Sequence, residues 1–156
     1  MMQKELIEAW RTNNRINLMV LDKVTPEGMN ATLSKRGGRG VAGEFAHMHN
    51  VRRMHIEKRA KEHLEGLVKF PTGAVPTKSE LKKALRSSEK AVEALLVGAL
   101  ENKPKHRGFK KGIFTTLSYF ISHEAHHRGR ILLTLKVSGN TLDKNTQMGI
   151  WAWDQI

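Results

Sequence analysis

Two histidines, His123 and His127, stand four residues apart in the segment SYFISHEAHHRGRILLTLK. On a helix this spacing stacks both imidazoles on one face, one turn apart, where they can share a divalent ion. Imidazole nitrogens suit borderline metals such as zinc, and two ligands from one helix leave positions for a third ligand and for water or substrate. The same face carries Thr116, Tyr119, Phe120, Ile131 and Thr134, so the pair interrupts a core stripe. The spacing is equally compatible with core histidines satisfied by neighbouring side chains. His126 lies about 100° from His127 around the axis and points toward a neighbour or solvent.

A third imidazole has to come from another element. GEFAHMHNVRRMHIEKRAKEHLEG offers His47, His49, His55 and His63. His47 shares a side with Gly43 and Val51, which favours an inward orientation, whereas His49 lies about 200° away around the helix, so the two cannot face one point. The pattern leaves both open, and His55 and His63 sit among charges that suggest solvent.

The elements that hold these residues read as helices, with strand-like alternation hard to find. A first helix is predicted over about Gln3 to Asp22, and Thr25 to Gly40 reads as a loop. A second helix is predicted from Val41 to Leu67, stopped by PTGAVP at Pro71 to Pro76. Thr77 and Glu80 have capping-box spacing and open a third helix that runs to about Leu100. The fourth spans roughly Ile113 to Val137, closed by Gly139. The fold expected is all-α: a four-helix bundle, with Thr141 to Ile156 as a short segment packed at one end and one domain over 1–156. Trp151 and Trp153 are expected to cap the core or wall a pocket mouth.

The chain has 156 residues, 27 Lys and Arg against 15 Asp and Glu, and no cysteine. The missing cysteines exclude thiolate metal sites, a cysteine nucleophile and disulfides, and fit a cytoplasmic setting. No apolar run approaches the length of a membrane span, so no membrane partner is expected. The net charge of +12 attracts polyanions or anionic small molecules. Its densest stretches, Ser34 to Arg39 and Lys103 to Lys111, read as mobile basic loops. A nucleic-acid-binding protein with non-catalytic histidines is one reading of that charge, but the basic residues are not interleaved with aromatics that stack bases.

The histidine in GEFAHMHNVRRMHIE, the motif HEAHHRG in the last long helix and the tail IWAWD together resemble the DinB-like metal-binding four-helix-bundle family over Leu6 to Trp153. That resemblance implies a metal held by His47, His123 and His127. It further implies thiol-dependent transfer or isomerisation chemistry and a homodimer. Arg130 stands where the family often has glutamine, and SKRGGRG is more basic than the family pattern. The function expected is a metal-dependent transferase that uses zinc or nickel to activate a low-molecular-weight thiol toward a small-molecule substrate. A metal-dependent hydrolase, with water in place of the thiol, uses the same ligands. Arg128, Arg130 and the basic loops are candidates for attracting carboxylates, although solvated surface charge is their plainer role. Asn13 and Asn17 are expected to orient a histidine or to bond backbone, Tyr119 to reach the metal side or pack, and Glu124 to form an exposed ion pair. No general base is assigned.

Overall fold

The computed structural model describes residues 1–36 and 38–156, and the basic stretch Ser34 to Arg39 therefore contains one residue, Gly37, that lies outside the described residues. Four long helices carry the fold: α1 (Met2–Lys23), α3 (Val41–Arg59), α4 (Lys78–Leu100) and α5 (Ile113–Val137). Two short ones, α2 (Pro26–Met29) and α6 (Lys144–Gly149), flank them. The chain is all-α, an arrangement of helices packed against each other with no strand among the described residues. α1 and α3 each pack against both α4 and α5, so the four rods form a ring in the order α1, α4, α3, α5. No described helix is long and apolar enough to cross a membrane.

The core has two apolar clusters with a polar layer between them. One contains Ile16, Val20, Phe45, Leu85, Ile131 and Leu135. The other contains Leu6, Trp10, Ile56, Val92, Leu96 and Phe120. Between them lie Asn13, Asn17, Arg52, Ser88, Glu124 and Arg128, all buried. Residue order through these layers gives the direction of each rod: α1 and α5 run one way, α3 and α4 the other. Parallel neighbours need a long return connection, and residues 60–77 supply it by running back beside α3. Arg53 Nε donates to Leu67 O at 3.0 Å, and Asn50 pairs with Phe70 through both its amide nitrogen and its carbonyl oxygen.

α4 begins as predicted. Thr77 accepts from the Glu80 amide while Glu80 accepts from Thr77 N at 2.7 Å. α3 ends earlier than its predicted boundary at Leu67. The Arg59 carbonyl accepts from Arg107 N at 3.2 Å rather than continuing the helical ladder, Ala60 turns to φ −158°, and Lys61–His63 form one 3₁₀ turn. The loop Thr25 to Gly40 includes α2, capped by the Thr25 hydroxyl. The Lys103 to Lys111 stretch is anchored rather than free, since Phe109 N donates to Thr116 Oγ1 at 2.7 Å and Arg59 lies over the Phe109 ring. The tail packs through Leu142 and Ile150; Trp151, expected at the core or a pocket mouth, is 78 % exposed.

Candidate metal centre

α3 and α5 meet at the level of the polar layer, and there His47, His123 and His127 converge. Each offers a ring nitrogen, and these atoms lie within 4.8 Å of one another. The ring of His47 lies 5.3 Å from that of His123 and 4.6 Å from that of His127, centroid to centroid. Helical spacing explains the α5 pair, whose Nε2 atoms are 3.1 Å apart. The His47 choice depends on helix rotation. His49, the competing candidate, points to the opposite side, with Nδ1 3.0 Å from Ala84 O and Nε2 2.7 Å from Val68 O. Both its nitrogens are engaged by α4 and the return connection, so it takes no part in the cluster. His126 is exposed, as its angle implies.

Behind His127 stands a residue that pattern reading missed. Glu44 Oε2 accepts from His127 Nδ1 at 2.5 Å in a buried contact. Burial pushes the Glu44 carboxyl up, but the His127 hydrogen bond, the His127 charge, Arg130 and Arg39 outweigh it and hold the group below its ordinary value. An ionised carboxylate only accepts, so Nδ1 of His127 carries a proton, and in the neutral ring, the form that binds a metal, Nε2 is the lone-pair nitrogen facing the cluster. Carboxylates commonly orient metal-binding imidazoles in this way. The signal was available: Glu44 precedes His47 by three residues, on the same side of one helix. Arg130 places Nε 3.1 Å from Glu44 Oε1 as an ion pair without hydrogen-bond alignment.

The electrostatics keep the rings available as ligands. Burial, then the charges of Arg39, His127 and His123, lower the His47 pKa to about 4. Burial and His127 also lower His123. His123 Nδ1 is buried with no hydrogen-bond partner among the described residues. Three imidazoles, one fixed by a carboxylate and one with an orphaned nitrogen, fit a divalent cation in donor type and spacing. Tyr119 stacks on His123 with ring centroids 5.8 Å apart. A cavity of about 350 Å³ opens beside His47, lined also by Asn30, Thr32, Arg39, Asn50 and Pro71.

Several expectations change once the rods are assembled. Glu124 is fully buried, not part of an exposed pair. It accepts from Arg52 Nε at 2.6 Å, Arg52 Nη2 at 2.8 Å, Asn13 Nδ2 at 2.7 Å and Asn17 Nδ2 at 2.6 Å. Burial would raise this carboxyl, yet Arg52 and the two amides hold it below its ordinary value. Arg128 is buried as well, donating to the side-chain oxygens of Asn13 and Asn17 at 2.8 and 2.6 Å. It is therefore neither a solvated charge nor a group facing the cavity. Asn13 and Asn17 bond these two charges rather than a histidine or the backbone. His55 is also buried, ringed by Phe109, Tyr119 and Phe120. His63 is half-buried and faces His106.

The model of the DinB family matches residues 1–148 of the chain. No curated protein and no solved structure matches it.

Proposed function

The chain belongs to the DinB family, and from that premise we propose that His47, His123 and His127 hold one divalent cation, zinc or nickel, in a transferase that joins a low-molecular-weight thiol to an electrophilic small molecule. The observation that carries the reading is the convergence of three imidazole nitrogens within 4.8 Å, with Glu44 fixing the tautomer of His127. A bound cation of this kind lowers the pKa of a thiol or water beside it, so that a nucleophile exists near neutral pH.

The protein's own groups supply position and charge. Glu44 holds the His127 ring so that Nε2 faces the cluster. Burial keeps His47 neutral at pH 7, with its pKa near 4. Arg39 lines the adjoining cavity and attracts a carboxylate carried by the thiol or by the acceptor. In the transfer, the sulfur lone pair forms a bond to the electrophilic carbon, the leaving group departs with the broken bond's electron pair, and the thiol proton goes to solvent. A homodimer would cover Leu133 and Val137, which are 54 % and 64 % exposed one turn apart on the outer face of α5; sedimentation of the purified chain tests this.

Metal content after dialysis, compared between the wild-type chain and a His123→Ala/His127→Ala variant, tests the ligand set. The variant is expected to bind one equivalent less, and equal stoichiometry in both sinks the assignment. For the chemistry, small thiols are screened against an electrophilic acceptor. Metal-dependent, thiol-dependent turnover is expected, turnover without any thiol would move the reading to hydrolysis, and no rate above the metal-free protein would reject both.

A further inference from the structure

A second group of ligating side chains lies away from the α3–α5 seam, where the end of α3 meets the α4–α5 loop. His63 Nε2 and His106 Nε2 are 3.0 Å apart. Glu62 Oε1 lies 3.6 Å from His106 Nε2 and 4.0 Å from His63 Nε2. One donor atom from each of the three fits within 4.8 Å. We infer that Glu62, His63 and His106 form a second divalent-cation site, suited to zinc, which staples the α4–α5 loop to the turn after α3.

His106 is fixed for this purpose. It is 7 % exposed, and its Nδ1 lies 3.1 Å from Pro104 O. A carbonyl oxygen accepts only, so Nδ1 carries the proton and Nε2 turns its lone pair toward His63 and Glu62. The ring reaches that position by lying against Gly98 of α4, where a Cβ would stand 2.2 Å from His106 Cδ2. Any other residue at 98 would displace the ring. Two imidazoles and a carboxylate are a donor set zinc accepts, with the fourth position left to water. The cluster borders a cavity of about 620 Å³, also lined by Arg11, Glu89, Lys90, Glu93 and Lys103, which gives water access. The cationic groups there are largely engaged: Arg11 pairs with Glu93, and Lys103 with Glu101. Lys90 lines the same cavity as the carboxylates of Glu62 and Glu89.

The test uses the whole chain and does not depend on the first site. In a His47→Ala/His123→Ala/His127→Ala variant, zinc is titrated while imidazole ¹⁵N shifts of His63 and His106 are followed. Both Nε2 resonances are expected to move by the amount typical of metal ligation, and one equivalent of zinc to bind. Adding His63→Ala and His106→Ala is expected to abolish that equivalent. Should the triple variant fail to fold, the same resonances are read in the wild-type chain, where they are expected to respond to one of two equivalents. Resonances of His63 and His106 that stay fixed with zinc in molar excess would overturn the inference and show a plain imidazole hydrogen bond. If they move while the wild-type chain binds a single equivalent, the second site stands and the proposed three-histidine centre fails.

Discussion

Replacing Glu124 with glutamine keeps the shape of the side chain and removes the only carboxylate in the buried polar layer named above. Arg52 is fully buried and Arg128 nearly so, and both depend on Glu124 for opposing charge, directly or through Asn13 and Asn17. Breaking a buried pair by removing one partner costs about 3–5 kcal/mol, because an uncompensated charge remains in a low-dielectric interior. An unfolding entropy of about 2.1 cal/mol/K per residue gives about 0.33 kcal/mol/K for 156 residues. A loss of about 4 kcal/mol then lowers the melting temperature by about 12 °C. The Arg11–Glu93 pair serves as the internal control. Its side chains are 47 % and 25 % exposed, so Arg11→Ala is expected to cost at most about 1 kcal/mol, or about 3 °C. Both variants are melted by circular dichroism in chelator, so that metal plays no part. A Glu124→Gln melting temperature no lower than that of Arg11→Ala would refute the reasoning that this layer is an obligatory charge network.

Glu44→Gln keeps an acceptor for His127 Nδ1 but loses the charge, and should weaken the equivalent lost in His123→Ala/His127→Ala by about 10-fold to 100-fold, measured by competition with a chromophoric chelator; unchanged affinity would show that Glu44 does not tune the ring. His55 has a folded-state pKa of about 4, lowered by burial and by the charges of Arg59 and Lys58. Its contribution to stability is therefore full above the unfolded pKa of about 6.5 and is lost as pH falls toward 4, a total of about 3 kcal/mol. His55→Phe should flatten the wild-type pH dependence of urea denaturation across that window, and parallel curves for the two proteins would count against it. Zinc at about 100 times its Kd should stabilise the chain by about 2.7 kcal/mol, or about 8 °C in the same melts, for each site filled. Chelator should reverse the shift, and a melting temperature indifferent to both would speak against a resident metal.

The helices were legible because their signals are local. The capping box at Thr77 and Glu80, the closure after Val137 and the stacking of His123 on His127 all follow from hydrogen bonds and spacings within a few residues. Glu124 was misread for a related reason. It lies about 40° from Phe120 and about 20° from Ile131 around the helix, inside the core stripe, but a carboxylate favours solvent unless partners neutralise it, and those partners, Arg52, Asn13 and Asn17, lie on other helices. The end of α3 was likewise invisible, since Arg59 gives its carbonyl to Arg107, far along the chain.

By itself the sequence determined that the chain is helical, that it is strongly basic and without thiols, and that one of its rods presents two imidazoles on a single face. Only the tertiary structure decided that His47 rather than His49 joins them, that Glu44 stands behind His127 across 83 positions, and that Glu124 is neutralised by Arg52 across 72. Periodicity fixes which side chains share a face of one helix, whereas the rotation of that helix against its neighbours is set by packing of the whole core, and that rotation chooses the partners of every buried charge.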